Sequence, residues 1–242
     1  MDHLPSRPDG EWELQTWRGS AGEFHAADLP ERRALWWCRA SSPALILGSS
    51  QSEGILRVAD AVADGLEVVT RRTGGGLVFV DPSTATWIDV TIPRSDPHWT
   101  DDVSQSMMWL GEVLQRALTP WVHTVPHTGG IDYGEWGRLV CFAGFAPGEL
   151  VREGDGWRRV KVTGISQRRG RWGARFQCLI HHVWEPRRWT PHLVDPEARR
   201  FTDDLVVGCI PETDPEILVA AIRQELDGAA GGIRGGSVGS GG

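Results

Sequence analysis

Arg159-Val160-Lys161-Val162-Thr163-Gly164-Ile165-Ser166-Gln167-Arg168-Arg169 holds the single lysine of a 242-residue chain that has 24 arginines. The two cations are not equivalent. A guanidinium is planar, forked and permanently charged, whereas an ammonium is a compact point charge that approaches one oxygen closely. A chain that uses arginine almost everywhere and keeps lysine here points to a task that arginine cannot do. Side chains alternate along a strand, so Lys161 faces opposite to Val160 and Val162. Gly164 allows a close backbone approach and a turn, while Ser166 and Gln167 offer neutral hydrogen bonds. An ammonium held on such a strand suits a carboxylate or phosphate oxygen during acyl or nucleotidyl transfer.

Upstream stands a second motif, Arg71-Arg72-Thr73-Gly74-Gly75-Gly76-Leu77-Val78-Phe79-Val80-Asp81. A strand ends in paired arginines, turns on three glycines and resumes toward an aspartate. Such glycines let the backbone approach a ligand and expose amide N–H groups to an anion. A neighbouring arginine neutralises a phosphate bidentately. Taken alone, the stretch reads more readily as an ordinary turn than as a binding loop. It lacks GxxxxGK[ST], so it is not a Walker A loop, and no helix follows to supply a dipole.

Around these motifs, short apolar runs alternate with turn signals. Residues 34–39, 44–48, 66–71, 77–80, 86–92, 139–143, 159–162 and 174–184 read as strands. Residues 103–118 form the clearest helix, with Val103, Met107, Leu110, Leu114 and Ala117 on one stripe, Asp101 or Asp102 as cap and Pro120 beyond its end. A second helix is expected over 215–226, capped by Asp214 and followed by Gly228. Shorter helices are expected within 21–28 and 52–64. Consecutive strands with few helices between them predict an α+β fold with a mixed, largely antiparallel sheet and flanking helices. One domain is expected over residues 11–227, after a loose lead-in and before a disordered glycine-rich tail, 228–242.

In order and spacing, the two motifs resemble the biotin/lipoate protein ligase catalytic-domain family, in its lipoate-protein ligase A and octanoyltransferase branch. That family has an RRxSGGG-type loop, matched here by Arg71–Asp81 with Thr73 for serine, and a K[IV]xGxAQ-type strand, matched by Lys161–Gln167. Ile46-Leu47-Gly48-Ser49-Ser50-Gln51 is similar to the family's early G-x-x-Q loop, which lines the acyl pocket. The resemblance implies a core like that of class II aminoacyl-tRNA synthetases. It also implies attachment of a lipoyl or octanoyl group to a carrier lysine, on the lipoyl domain of a 2-oxoacid dehydrogenase or a glycine-cleavage H protein. The ligase route starts from lipoate or octanoate and uses ATP and Mg²⁺ to form an acyl-adenylate. By the same resemblance Lys161 would hold the carbonyl or phosphate oxygen. Arg72, Thr73, Gly74, Gly75, Gly76, Asp81, Gln51, Gly164 and Ser166 would bind substrate or nucleotide.

The chain departs from the family after the glycines, where the usual His-Asp-x-Gly-Asn is Val80-Asp81-Pro82-Ser83-Thr84. Leu139-Val140-Cys141-Phe142-Ala143-Gly144 lies 20 residues before Lys161. In cysteine-dependent octanoyltransferases similar to this chain, a Cys-Phe pair at this place supplies the acyl-thioester nucleophile, taking octanoate from an acyl-carrier protein without ATP. A nearby ammonium favours thiolate, yet an unpaired cysteine is also among the most buried residue types. Both readings of Cys141 stand, beside a third in which the chain binds acyl groups or a carrier without turnover.

The bulk properties bound the rest. A net charge of −7 and the absence of a nucleic-acid module exclude a general nucleic-acid binder, so the 13 tryptophans are assigned to core and pocket. The segment 152–175 carries a net +6, which suits an acidic carrier surface. No apolar run is long enough to span a membrane. The first residues lack a signal-peptide pattern, and Cys38, Cys141, Cys178 and Cys209 are widely spaced, so reduced thiols and a cytoplasmic location are expected. Cys178, His181 and His182 lack a fourth partner for a metal site, so no metal centre is assigned.

Overall fold

The computed structural model describes residues 12–29, 31–153 and 159–231. Its strands are β1 (Glu13–Gly19), β2 (Ala34–Ala40), β3 (Ala44–Leu47), β4 (Glu67–Thr70), β5 (Val78–Val80), β6 (Ala85–Pro93), β7 (Val125–Pro126), β8 (Leu150–Glu153), β9 (Arg159–Lys161), β10 (Thr163–Arg169) and β11 (Gly173–His181). The helices are α1 (Ala21–Ala26), α2 (Val58–Ala63), α3 (Val103–Leu118), α4 (Pro196–Asp203) and α5 (Pro215–Gly231). A five-stranded sheet runs β1-β2-β6-β11-β10, and two three-stranded sheets run β4-β3-β5 and β7-β8-β9. Only β1–β2 and β3–β4 pair in parallel among these strands, so the sheets are mixed and largely antiparallel, as the strand-rich pattern predicts.

Alternation along β6 and β11 sets the layers. Ile88, Val90 and Ile92 of β6, with Phe176, Cys178 and Ile180 of β11, pack against Leu110, Leu114, Leu218 and Ile222 of α3 and α5. Each such fully buried side chain contributes about 1.5–3 kcal/mol. The opposite face presents Trp87 and Leu179 to Ile46, Val78 and Val80 of the second sheet. Behind that sheet, Leu45, Leu47 and Phe79 meet Ala61, Trp189 and Ala198. The functional cleft therefore lies between two sheets, at the level where β11 carries polar residues.

Several expectations are corrected. Residues 139–143 do not form a strand. Only one parallel bridge joins Leu77 to Val140, after which Cys141–Ala143 closes a 3-10 turn. The backbone is held there by Leu77, whose N–H donates to Leu139 O at 2.8 Å and whose carbonyl accepts from Cys141 N at 2.9 Å. Gly164 is not a turn. It lies inside β10 opposite Leu179, and the strand continues to Arg169. Val103 is 52% exposed, so the buried stripe of α3 begins at Met107 instead. Helix α5 runs past Gly228 to Gly231 because that glycine does not take a left-handed conformation. The rest of the expected tail, 232–242, and the expected lead-in lie outside the described residues. The caps read correctly: Asp102 Oδ1 accepts from Gln105 N at 3.0 Å, and Asp214 Oδ1 accepts from Glu216 N at 2.8 Å. Strands β1, β7 and β8 and helix α4 escaped the sequence reading, β1 because it buries no residue fully and alternates only between half-buried and exposed positions. Among the described residues no helix is long and apolar enough to cross a membrane.

Candidate active site

The glycine motif is folded onto two other loops. A Cβ on Gly48 would sit 1.9 Å from Gly75 O, and one on Gly76 would sit 2.8 Å from Cys141 N. Only glycines let these three backbones meet. Gly75 also takes φ +101°, open to glycine at no cost. Arg71 is buried and ties the loop from inside, its Nη2 donating to Gly74 O at 2.9 Å and to Gly76 O at 3.0 Å. From the other side, Ser49 N donates to Thr73 O at 2.9 Å.

This assembly closes one end of an apolar cleft lined by Ile46, Val78, Val80, Trp87, Phe142 and Leu179, with Arg71, Cys141, Gly164, Ser166, Gln177 and His25 among its walls. Gly164 lets the chain pass the Phe142 ring, since a Cβ there would lie 3.2 Å from that ring. A polar row crosses the floor. Thr73 Oγ1 lies 3.2 Å from Ser166 Oγ and donates to Gln177 Oε1 at 3.1 Å, and Gln177 Nε2 lies 3.0 Å from His25 Nδ1. Donation by the amide leaves Nδ1 as acceptor and puts the His25 proton on Nε2, which has no partner. Behind this row, burial raises the Asp89 carboxyl even though Arg175 is bonded to it.

Lys161 and Cys141 come together at the end of the cleft. Lys161 Nζ is 3.8 Å from Cys141 Sγ and donates to Cys141 O at 2.9 Å, to Gly144 O at 3.2 Å and to Glu149 Oε1 at 2.7 Å. Burial works against the ammonium, but Cys141 and Glu149 outweigh it and hold Lys161 above the usual lysine range. All three N–H groups are thus committed to protein oxygens, with the sulfur as a fourth, charge-based neighbour. Cys141 is half-buried and lines the cleft, and its partial exposure separates it from the buried Cys38 and Cys178. Cys178 packs in the helix-side core, and burial pushes its thiol well up.

The residues singled out in the sequence divide into two groups. Lys161, Cys141, Thr73, Gly74, Gly75, Gly76, Gly164 and Ser166 gather around the cleft and its closing loop. Arg72 instead points outward to the exposed Asp28, 3.2 Å away, and the cleft arginine is Arg71. Gln51 is a clamp, with Oε1 accepting from Gly48 N and Nε2 donating to Arg138 O and Leu139 O, each at 3.0 Å. Asp81 is pinned by Ser83 N at 2.7 Å and Ser83 Oγ at 2.6 Å, and it pairs with Arg188. Burial raises its carboxyl, but the Ser83 bonds and the Arg188 guanidinium outweigh that and hold it below the usual carboxylate range. The basic segment is also less of a surface patch than its charge suggested, because Lys161 and Arg175 are buried on Glu149 and Asp89. Asp155 and Arg158 of that segment lie outside the described residues. Sequence reasoning missed Glu149, His25 and Gln177, since nothing in their local spacing marks them. It also named Arg72 where Arg71 is the inward arginine, because alternation says that one of the pair faces in but not which.

Two histidines give the site a pH signature. Burial lowers His25 to about 3, helped by Arg175 and Arg71. Burial likewise lowers His181 to about 3, helped by His182, and His181 packs edge-on against Phe142 and Trp184. In the unfolded chain both titrate near the model-peptide value of about 6.5. Their contribution is therefore complete above about pH 6.5 and is lost as pH falls toward the folded value, by up to about 1.4 kcal/mol per pH unit each. His181→Phe is expected to bring the urea midpoints at about pH 7 and pH 5 closer together than in wild type. An unchanged gap between the midpoints would refute a neutral, buried His181.

The family description of the lipoyl protein ligase A/B catalytic domain matches residues 22–184. No curated protein sequence matches significantly. Among solved structures, the chain is similar to a bi-partite lipoate protein ligase from Thermoplasma acidophilum, described together with its E2 lipoyl domain. That similarity has a TM-score of 0.66 at 13% identity, covering 90% of this chain and 83% of the other. It is also similar to a lipoate-protein ligase A bound with ATP, at 0.64 and 13%, covering 90% and 85%. P. falciparum LipL1 in complex with lipoate follows at 0.57 and 12%, covering 93% and 62%. At these identities the structures establish a shared fold, and the matched span, holding both the glycine loop and the Cys141–Lys161 pair, establishes kinship: the chain belongs to the lipoyl protein ligase A/B catalytic domain family.

Proposed function

We propose that this protein transfers an octanoyl- or lipoyl-type acyl group onto a lysine of a lipoyl-carrier domain, through a thioester on Cys141. The observation that carries the reading is the position of Cys141 Sγ, facing an apolar cleft and 3.8 Å from the Lys161 ammonium. The ammonium lies where negative charge develops as the sulfur attacks. The thiolate attacks the carbonyl of an acyl-carrier thioester, the donor C–S bond breaks, and the departing thiolate takes a proton from solvent. The neutral amine of the acceptor lysine then attacks the Cys141 thioester. The amide forms, the Cys141 thiolate leaves, and the amine proton passes to water. Thr73, Ser166 and the Gly74–Gly76 backbone frame the reacting end, and the apolar walls hold the chain.

The ligase route, with ATP and Mg²⁺, gains less from the geometry. Of the residues expected at a nucleotide, Arg72 is turned to the surface, Asp81 is engaged by Ser83 and Arg188, and Gln51 clamps backbone. These residues do not converge on one space, so no step is routed through a nucleotide here.

Intact-mass spectrometry of a lipoyl domain incubated with the protein and each donor tests the reading. One octanoyl group gained from octanoyl-acyl-carrier protein without ATP is the expected result. A gain only from lipoate or octanoate with ATP and Mg²⁺ would replace it with the ligase. No gain from either donor would leave a carrier- or acyl-binding protein.

A further inference from the structure

We infer that Glu149 is the positioning residue of this site: its carboxylate, fixed at both oxygens, holds the only lysine of the chain and aims it at the Cys141 sulfur. Its part in turnover rests on the acyl-transfer reading above. Its hold on Lys161 does not.

The chain is built to bring this carboxylate inside. Gly148 precedes it at φ +81°, and a Cβ there would lie 2.1 Å from Met107 O. A Cβ on Gly111 would in turn lie 2.2 Å from Gly148 O. Two glycines therefore let the turn before β8 seat directly on α3, and Glu149 is driven inward to 2% exposure. Backbone donors from two segments then lock the carboxylate. Ala146 N donates to Oε2 at 2.8 Å, and Ile165 N of β10 donates to Oε1 at 3.1 Å. A carboxylate fixed at both oxygens cannot follow a wandering partner, so it dictates where Nζ sits. Lys161 Nζ lies 2.7 Å from Oε1, and both side chains are 2% exposed. The remaining Nζ bonds run to Cys141 O and Gly144 O, on either side of the nucleophile.

The titratable groups that face Nζ among the described residues are Glu149, from the turn before β8, and Cys141, from the 3-10 turn. The Phe142 ring lies 5.1 Å away on the same side. The adjacent carboxylate penalises a neutral amine, so the positive charge stays on Nζ, 3.8 Å from the sulfur that attacks. Glutamine at 149 keeps the hydrogen-bonding shape and removes that bias.

Because the chain has one lysine, full-length protein made with ¹⁵Nζ-lysine gives a single side-chain ammonium signal that reports Lys161 directly. Wild type is expected to titrate above free lysine, with N–H exchange at least about tenfold slower than free lysine. Glu149→Gln is expected to lower the titration midpoint by about one pH unit or more and to slow octanoyl transfer about 10²-fold at unchanged KM. An unchanged midpoint, or a glutamine variant as active as wild type, overturns the inference. Should that variant fail to fold, wild-type exchange decides, and exchange as fast as free lysine also overturns it. A lowered midpoint in a protein that transfers no acyl group supports the hold on Lys161 and sinks the acyl-transfer reading. Transfer by wild type with an unmoved midpoint does the reverse.

Discussion

Cys141→Ser is expected to lose octanoyl transfer from an acyl-carrier thioester by at least about 10³-fold. Serine keeps the size and the polar atom. However, its hydroxyl ionises far above a thiol, and an ammonium 3.8 Å away cannot bring it into the neutral range. The fold is not expected to change, because Cys141 is half-buried and the turn is held by the backbone bonds between Leu77 and Leu139–Cys141. The measurement is single-turnover transfer, with the mass of the protein followed in parallel. Wild type should gain one acyl group that hydroxylamine removes, the signature of a thioester. The scarcity of lysine makes this assay clean, since no side-chain amine other than Lys161 can form a stable amide on the protein. A serine variant that transfers at the wild-type rate would place the chemistry on an adenylate.

Lys161→Arg is expected to cost about 10²–10⁴-fold in transfer, and Lys161→Met to cost stability as well. The nitrogen sits within 2.7–3.2 Å of three oxygens that converge on one point. A compact ammonium satisfies all three, while a planar guanidinium spreads its donors and pushes the Cys141 turn away. Methionine fits the volume better but strands a buried carboxylate. Breaking a buried pair in this way costs about 3–5 kcal/mol. The two variants therefore separate by assay: the arginine protein should melt near wild type and fail in transfer, and the methionine protein should fail in both. An active arginine variant would remove Lys161 from the mechanism.

These results also bear on why the expected glycine-loop aspartate and arginine lie off the site. Val80 lines the cleft as an apolar wall, and Asp81 turns to Ser83 and Arg188 to fix the start of β6. Residues 80–84 therefore form a structural corner and send no polar side chain into the cleft. The polar groups that face the cleft come from elsewhere, with His25 on α1 and Gln177 on β11.

Much of this was written in the chain. Short apolar runs between turn signals placed Val78–Val80, Ile88–Ile92 and Phe176–Ile180 in strands, and the spacing of Met107, Leu110 and Leu114 gave a helix with its cap. The glycine triplet and lone lysine marked the two ends of the site, because backbone approach and charge type are properties a residue carries into any fold. Which arginine faces the cleft, and which acid faces Lys161, depended on contacts between segments far apart. Glu149 reaches Lys161 only because Gly148 and Gly111 seat the turn on α3. Gln51 reaches Arg138, 87 residues away, only because three loops meet over bare glycine backbones. Local periodicity determines which face a side chain takes. Only tertiary packing decides what waits on that face, since buried charges and hydrogen-bond donors must find partners wherever the chain brings them.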